Sequence, residues 1–94
     1  MVQLFIKHKV ADYNTWKATF DAFVDTRRAG GEKSFQIFHP DNEPNNLFLM
    51  FEWDNLENAH SFLASEELKN TMKQAGVIEE PQIHFLNELD KGVL

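Results

Sequence analysis

Asn46-Leu47-Phe48-Leu49-Met50-Phe51-Glu52-Trp53 is the stretch that decides the fold. Leu47, Leu49, Phe51 and Trp53 fall on one alternating side, Phe48 and Met50 on the other. A strand that is apolar on both faces has to be covered on both. Its neighbours in the chain show what can cover one of them.

Immediately upstream, residues 40–46 (PDNEPNN) are dense in turn formers. Before them, Phe35, Ile37 and His39 alternate with Gln36 and Phe38 over residues 34–39, a second strand. A hairpin centred near Glu43 would set Ile37 opposite Leu49, Phe35 opposite Phe51 and His39 opposite Leu47. Downstream, Asp54-Asn55-Leu56-Glu57 resembles a capping box, and Leu56, Ala59 and Leu63 have helical spacing. Ser65-Glu66-Glu67 caps a second helical piece that carries Leu68, Met72 and Ala75 and ends at Gly76. Pro81 cannot donate to a ladder, so the last strand starts at Gln82.

At the start of the chain, residues 2–10 alternate Val2, Leu4, Ile6, His8, Val10 against Gln3, Phe5, Lys7, Lys9. Asp12 is a helix cap, and Tyr13, Trp16, Phe20, Phe23 and Val24 form one helical face. Arg27 and Arg28 suit the negative end of that helix, and Gly30-Gly31 stop it.

The order is therefore β-α-β-β-α-β, which predicts an α+β, ferredoxin-like βαββαβ domain spanning residues 1–94. Its sheet has four antiparallel strands in spatial order 4-1-3-2 with the helices on one face. The opposite face keeps Phe and Met side chains that belong against a partner, most simply a second copy.

Composition narrows the function. The net charge is −6 and no basic cluster exceeds Arg27-Arg28, so a nucleic-acid partner is not expected. Without cysteine there is no disulfide, thiolate metal site or Cys nucleophile. No signal peptide or membrane span is read, and the expectation is a cytoplasmic protein that does not engage a membrane. No Ser-His-Asp spacing, phosphate loop or nucleotide fingerprint occurs, so hydrolases and nucleotide-dependent enzymes have no support.

The run Phe51-Glu52-Trp53-Asp54-Asn55-Leu56-Glu57-Asn58-Ala59, followed by Phe62-Leu63-Ala64-Ser65-Glu66-Glu67-Leu68, resembles the dimeric α+β barrel superfamily, in its antibiotic biosynthesis monooxygenase-like branch. The resemblance implies a homodimer of facing sheets, with a pocket between sheet and helices or inside the barrel. It implies cofactor-independent oxygenation of aromatic substrates, or haem degradation. Monooxygenase-like relatives often carry His where this chain has Phe62 and Glu67. Haem-degrading relatives carry Trp and His where it has Phe62 and Met72, and an Asn on the first strand, which is absent here. Losing the iron ligand disfavours haem degradation, so no cofactor is expected.

The proposed topology brings His8, His39 and His84 to one edge of the sheet as candidate catalytic bases. The structural alternative is that each sits at a strand end and satisfies a backbone group. A three-His metal site needs all three on one face, and no metal is expected. Phe51, Trp53, Phe62 and Met72 are the candidate substrate-binding residues, or else ordinary core. Three readings follow: a cofactor-independent monooxygenase for a small apolar or aromatic molecule, a dimeric module that binds a small hydrophobic ligand, and a structural dimer.

Overall fold

In the computed structural model, which describes residues 1–94, β1 (Val2–Lys9) and β3 (Asn46–Trp53) pair antiparallel at the centre of the sheet. β2 (Glu32–Phe38) flanks β3 and β4 (Gln82–Leu86) flanks β1, giving the order β2-β3-β1-β4. This is the expected ferredoxin-like arrangement. The expected hairpin register holds, with Phe35 opposite Phe51 and Ile37 opposite Leu49. Glu43 N–H donates to the Pro40 carbonyl (3.1 Å) and Asn46 N–H to that of Glu43 (3.1 Å), which closes the turn.

β3 separates two compartments. Leu47, Leu49, Phe51 and Trp53 are buried beneath the helices, while Phe48, Met50 and Glu52 are half-buried on the other face. Strand alternation carries this division across the sheet. Leu4 and His8 of β1 join the helix side, and Phe5 and Lys7 the open side. On that open side Phe5 and Phe48 meet edge-on at 6.0 Å, and Phe38 is 52% exposed.

The helix expected to continue past residue 22 is divided into α1 (Tyr13–Ala22) and α2 (Val24–Gly30). At the join, the Phe23 amide is shared between the carbonyls of Thr19 (3.1 Å) and Phe20 (3.3 Å). Asp12 caps α1 by accepting from Thr15 N–H at 2.9 Å. Gly31 closes α2 with φ +124°, where a Cβ would lie 2.4 Å from Asp54 Oδ1. The positive φ requires glycine.

α3 (Leu56–Leu63) is capped by Asn55, which accepts from Asn58 N–H at 2.8 Å. Asp54, expected as the cap acceptor, instead accepts from the Asn55 N–H (2.7 Å) and the Asn58 side-chain amide. Ser65 caps α4 (Glu66–Gln74) by accepting from Leu68 N–H at 3.2 Å. α4 contributes no fully buried residue. No helix is long and apolar enough to cross a membrane.

Candidate functional site

A cavity of about 100 Å³ lies between the sheet and the helices. β1 and β3 supply one wall through Leu4, Ile6, His8, Leu49, Phe51 and Trp53. Phe62 of α3 and Met72 of α4 close the other. All four apolar positions singled out in the sequence, Phe51, Trp53, Phe62 and Met72, therefore border one space. Trp53 and Phe62 touch there, with ring centroids 4.9 Å apart.

His8 is the histidine on this cavity. It is 7% exposed and meets the edge of Trp16 at 5.7 Å. Neither ring nitrogen has a hydrogen-bond partner in the protein. Burial away from water penalises the charged imidazolium and lowers its pKa from 6.5 to about 4. His8 is thus a neutral ring at pH 7, with one unused N–H and one unused lone pair in apolar surroundings.

The three candidate histidines do not converge, and the reason is register. His84 pairs with Phe5, not with the end of β1, and strand alternation puts it on the open face, 6.1 Å from the Phe5 ring. β2 ends at Phe38, so His39 leaves the sheet, and its exposed ring donates from Nδ1 to the Pro40 carbonyl at 2.6 Å. Both stand apart from the cavity. No three or more His, Asp or Glu side chains gather into a ready-made metal ligand set.

The sequence reading missed a charged pair on the same cavity. Arg27 of α2 and Glu32 at the start of β2 both border it and form a buried ion pair, with side chains 4% and 7% exposed. The Arg27 guanidinium lies 3.7 Å from the Phe20 ring centre and donates to the Phe20 carbonyl at 3.1 Å. Burial pushes the Glu32 carboxyl up, against the opposing pull of Arg27, and pushes Arg27 down. Arg27 Nε, Glu32 Oε1 and Trp53 Nε1 have no partner in the protein. A signal was available: Trp16, Phe20, Phe23 and Arg27 follow one another at helical steps, so Arg27 continues the apolar face.

The two polar groups occupy opposite ends of the cavity. His8 pairs with Leu47 and Glu32 with Trp53, at the two ends of β3. That separation is roughly 20 Å along the strand.

No family model matches the chain, and no curated protein does. Solved structures do. An antibiotic biosynthesis monooxygenase superimposes with TM-score 0.68 at 10% identity, covering 96% of this chain and 100% of the other. A Caulobacter crescentus CB15 protein grouped with those monooxygenases gives 0.73 at 13% identity, covering 95% and 90%. SnoaB, a cofactor-independent oxygenase from Streptomyces nogalater, gives 0.70 at 11% identity, covering 93% of each chain. The chain has the fold of the antibiotic biosynthesis monooxygenase-like proteins. At these identities the likeness is one of fold, and the chemistry has to be argued from the cavity itself.

Proposed function

We propose that the protein is a homodimeric small-molecule enzyme of the cofactor-independent oxygenase type, with its substrate held between sheet and helices. The observation that carries this reading is the unpartnered imidazole of His8 in an apolar cavity. A buried ring with an unused donor and acceptor suits a hydroxyl that enters beside it. The fold shared with SnoaB supports the reaction class.

The cavity limits the substrate. At about 100 Å³ it is smaller than the roughly 150 Å³ that admits benzene and far below ordinary ligand pockets. A substrate of one ring fits if a wall yields, and α4, with no fully buried residue, is the least anchored wall. Phe51, Trp53, Phe62 and Met72 line the remainder of the cavity in this reading.

His8 accepts the proton of a quinol hydroxyl, and the electron-rich anion reacts with oxygen. One oxygen atom enters the ring, the other leaves as water with the proton returned by His8 and a second proton from the substrate, and a hydroxyquinone forms. The substrate supplies all four electrons, so no external reductant is needed. The proton transfer is uphill: a phenol near pKa 10 and His8 at about 4 differ by about 8 kcal/mol. The adjacent anion favours the imidazolium and offsets part of that cost.

The same low pKa favours a second reading, a module that binds a small hydroxylated ligand without turning it over. Oxygen uptake with single-ring quinols and phenols separates the two. Turnover is expected to fall about 10²–10⁴-fold in His8→Leu. Wild-type binding without oxygen uptake would leave the binding module, and an unchanged rate in His8→Leu would remove His8 as base.

The open sheet face, with Phe5, Phe48, Met50 and the exposed Phe38, suits the matching face of a second copy. Sedimentation at micromolar concentration should show a particle of twice the 11.0 kDa chain mass. Met50→Lys should convert it to monomer. A wild-type monomer under those conditions would contradict the facing-sheet assembly.

A further inference from the structure

The Arg27–Glu32 pair and the Trp53 indole stand at the end of the cavity away from His8, and the proton chemistry makes no use of them. All three residues border the cavity, and Trp53 and Arg27 are 1% and 3% exposed. Each retains one buried atom without a protein partner: two donors, Arg27 Nε and Trp53 Nε1, and one acceptor, Glu32 Oε1. The local fold brings them together. Trp53 and Glu32 are cross-strand partners. Gly30, one helical turn after Arg27, leaves the Trp53 ring 3.5 Å from where its Cβ would lie. Buried polar groups are normally satisfied, and leaving three neighbouring residues each with an unsatisfied atom is costly unless something else meets them.

We infer that this end of the cavity is a head-group site for a neutral ligand group that both accepts and donates hydrogen bonds, such as a primary amide or a hydroxy ketone. The ion pair already cancels its own charge, so a charged head group would find no counter-charge. Two donors call for an acceptor oxygen on the ligand, and the free carboxylate oxygen calls for an N–H or O–H beside it. The short apolar remainder of the ligand would lie along Phe51 and Phe62. The inference rests on the cavity being a ligand site and not on oxygen chemistry.

The test uses butanamide and 2-pentanone, which have the same shape and differ in an amide NH₂ against a methyl. The chain has two tryptophans, so proton–nitrogen correlation spectra contain two indole signals, and Trp16→Phe assigns them. Butanamide should move the Trp53 indole signal and bind about tenfold more tightly than 2-pentanone, the discrimination expected of an added hydrogen bond to a charged acceptor. The double variant Arg27→Met/Glu32→Leu keeps an apolar wall of similar size and should lose that preference, leaving both probes equal. Equal binding of the two probes by the wild type would overturn the inference. So would a preference for butanamide that survives in the double variant. Discrimination without oxygen uptake from any quinol leaves the head-group site standing and removes the oxygenase reading. Oxygen uptake without discrimination does the reverse.

Discussion

Arg27→Ala is expected to cost about 3–5 kcal/mol, because it leaves the Glu32 carboxylate buried without its counter-charge. A chain of 94 residues has roughly 5–14 kcal/mol of stability in total, so the loss is between about a quarter and all of it. The loss has three parts: the ion pair, the hydrogen bond to the Phe20 carbonyl, and the stacking of the guanidinium on the Phe20 ring. Arg27→Ala also removes a side chain that fills space beside the α1–α2 join. Replacing both partners behaves differently. Arg27→Met/Glu32→Leu removes the charge together with its complement and should be as stable as the wild type, or more so. Urea unfolding of the three proteins measures this directly. A loss below about 1 kcal/mol in Arg27→Ala would be the value for a solvated surface pair, and would contradict the buried arrangement.

The second large effect is a pH dependence set by His8. Its folded pKa of about 4 lies below its ordinary value of 6.5, so between these values the unfolded chain binds more protons. Stability is then fully present above pH 6.5 and lost as the pH falls towards 4, by about 3 kcal/mol. Glu32 has the opposite sign. Its carboxyl is raised above 4.5, so the folded state takes up its proton first and stability is regained as the pH falls through that raised value towards 4.5. Unfolding free energies at intervals from pH 7.5 to 4 should therefore fall in the wild type. In His8→Leu the curve should be flat or slope the other way. Parallel curves would mean that His8 is hydrated in the folded protein and titrates normally.

The fold was legible because alternation is a local signal. Leu47, Leu49, Phe51 and Trp53 announce one face, and the 40–46 turn fixes the register that places Phe35 on Phe51. Part of the apolar cavity wall follows the same pattern, since Phe51 and Trp53 lie on one side of the strand and Met72 on a helical stripe, whereas Phe62 falls beside the stripe of Leu56, Ala59 and Leu63. The histidines were not. Their positions depend on where β4 starts relative to β1, and a slip of one residue exchanges the two faces of the sheet. The observed register sets His84 against Phe5, on the opposite face from His8.

Arg27 and Glu32 escaped for a different reason. An arginine near a helix end suits the helix dipole without being buried, and a lone glutamate next to a glycine belongs to no pattern. The join at Phe23, which nothing in the local pattern demands, accompanies the burial of Arg27 against Phe20 and Glu32. Where apolar spacing continues through a charged residue, as it does from Trp16 through Phe20 and Phe23 to Arg27, the spacing was the better guide to burial.

The most direct test is a crystal structure of the protein with a single-ring quinol bound. The expected result is the ring beside Trp16 and Leu49, α4 displaced outward, and one hydroxyl within hydrogen-bonding distance of a His8 ring nitrogen. A ligand on the open sheet face, or a cavity closed by its own side chains with the quinol nowhere bound, would contradict the account.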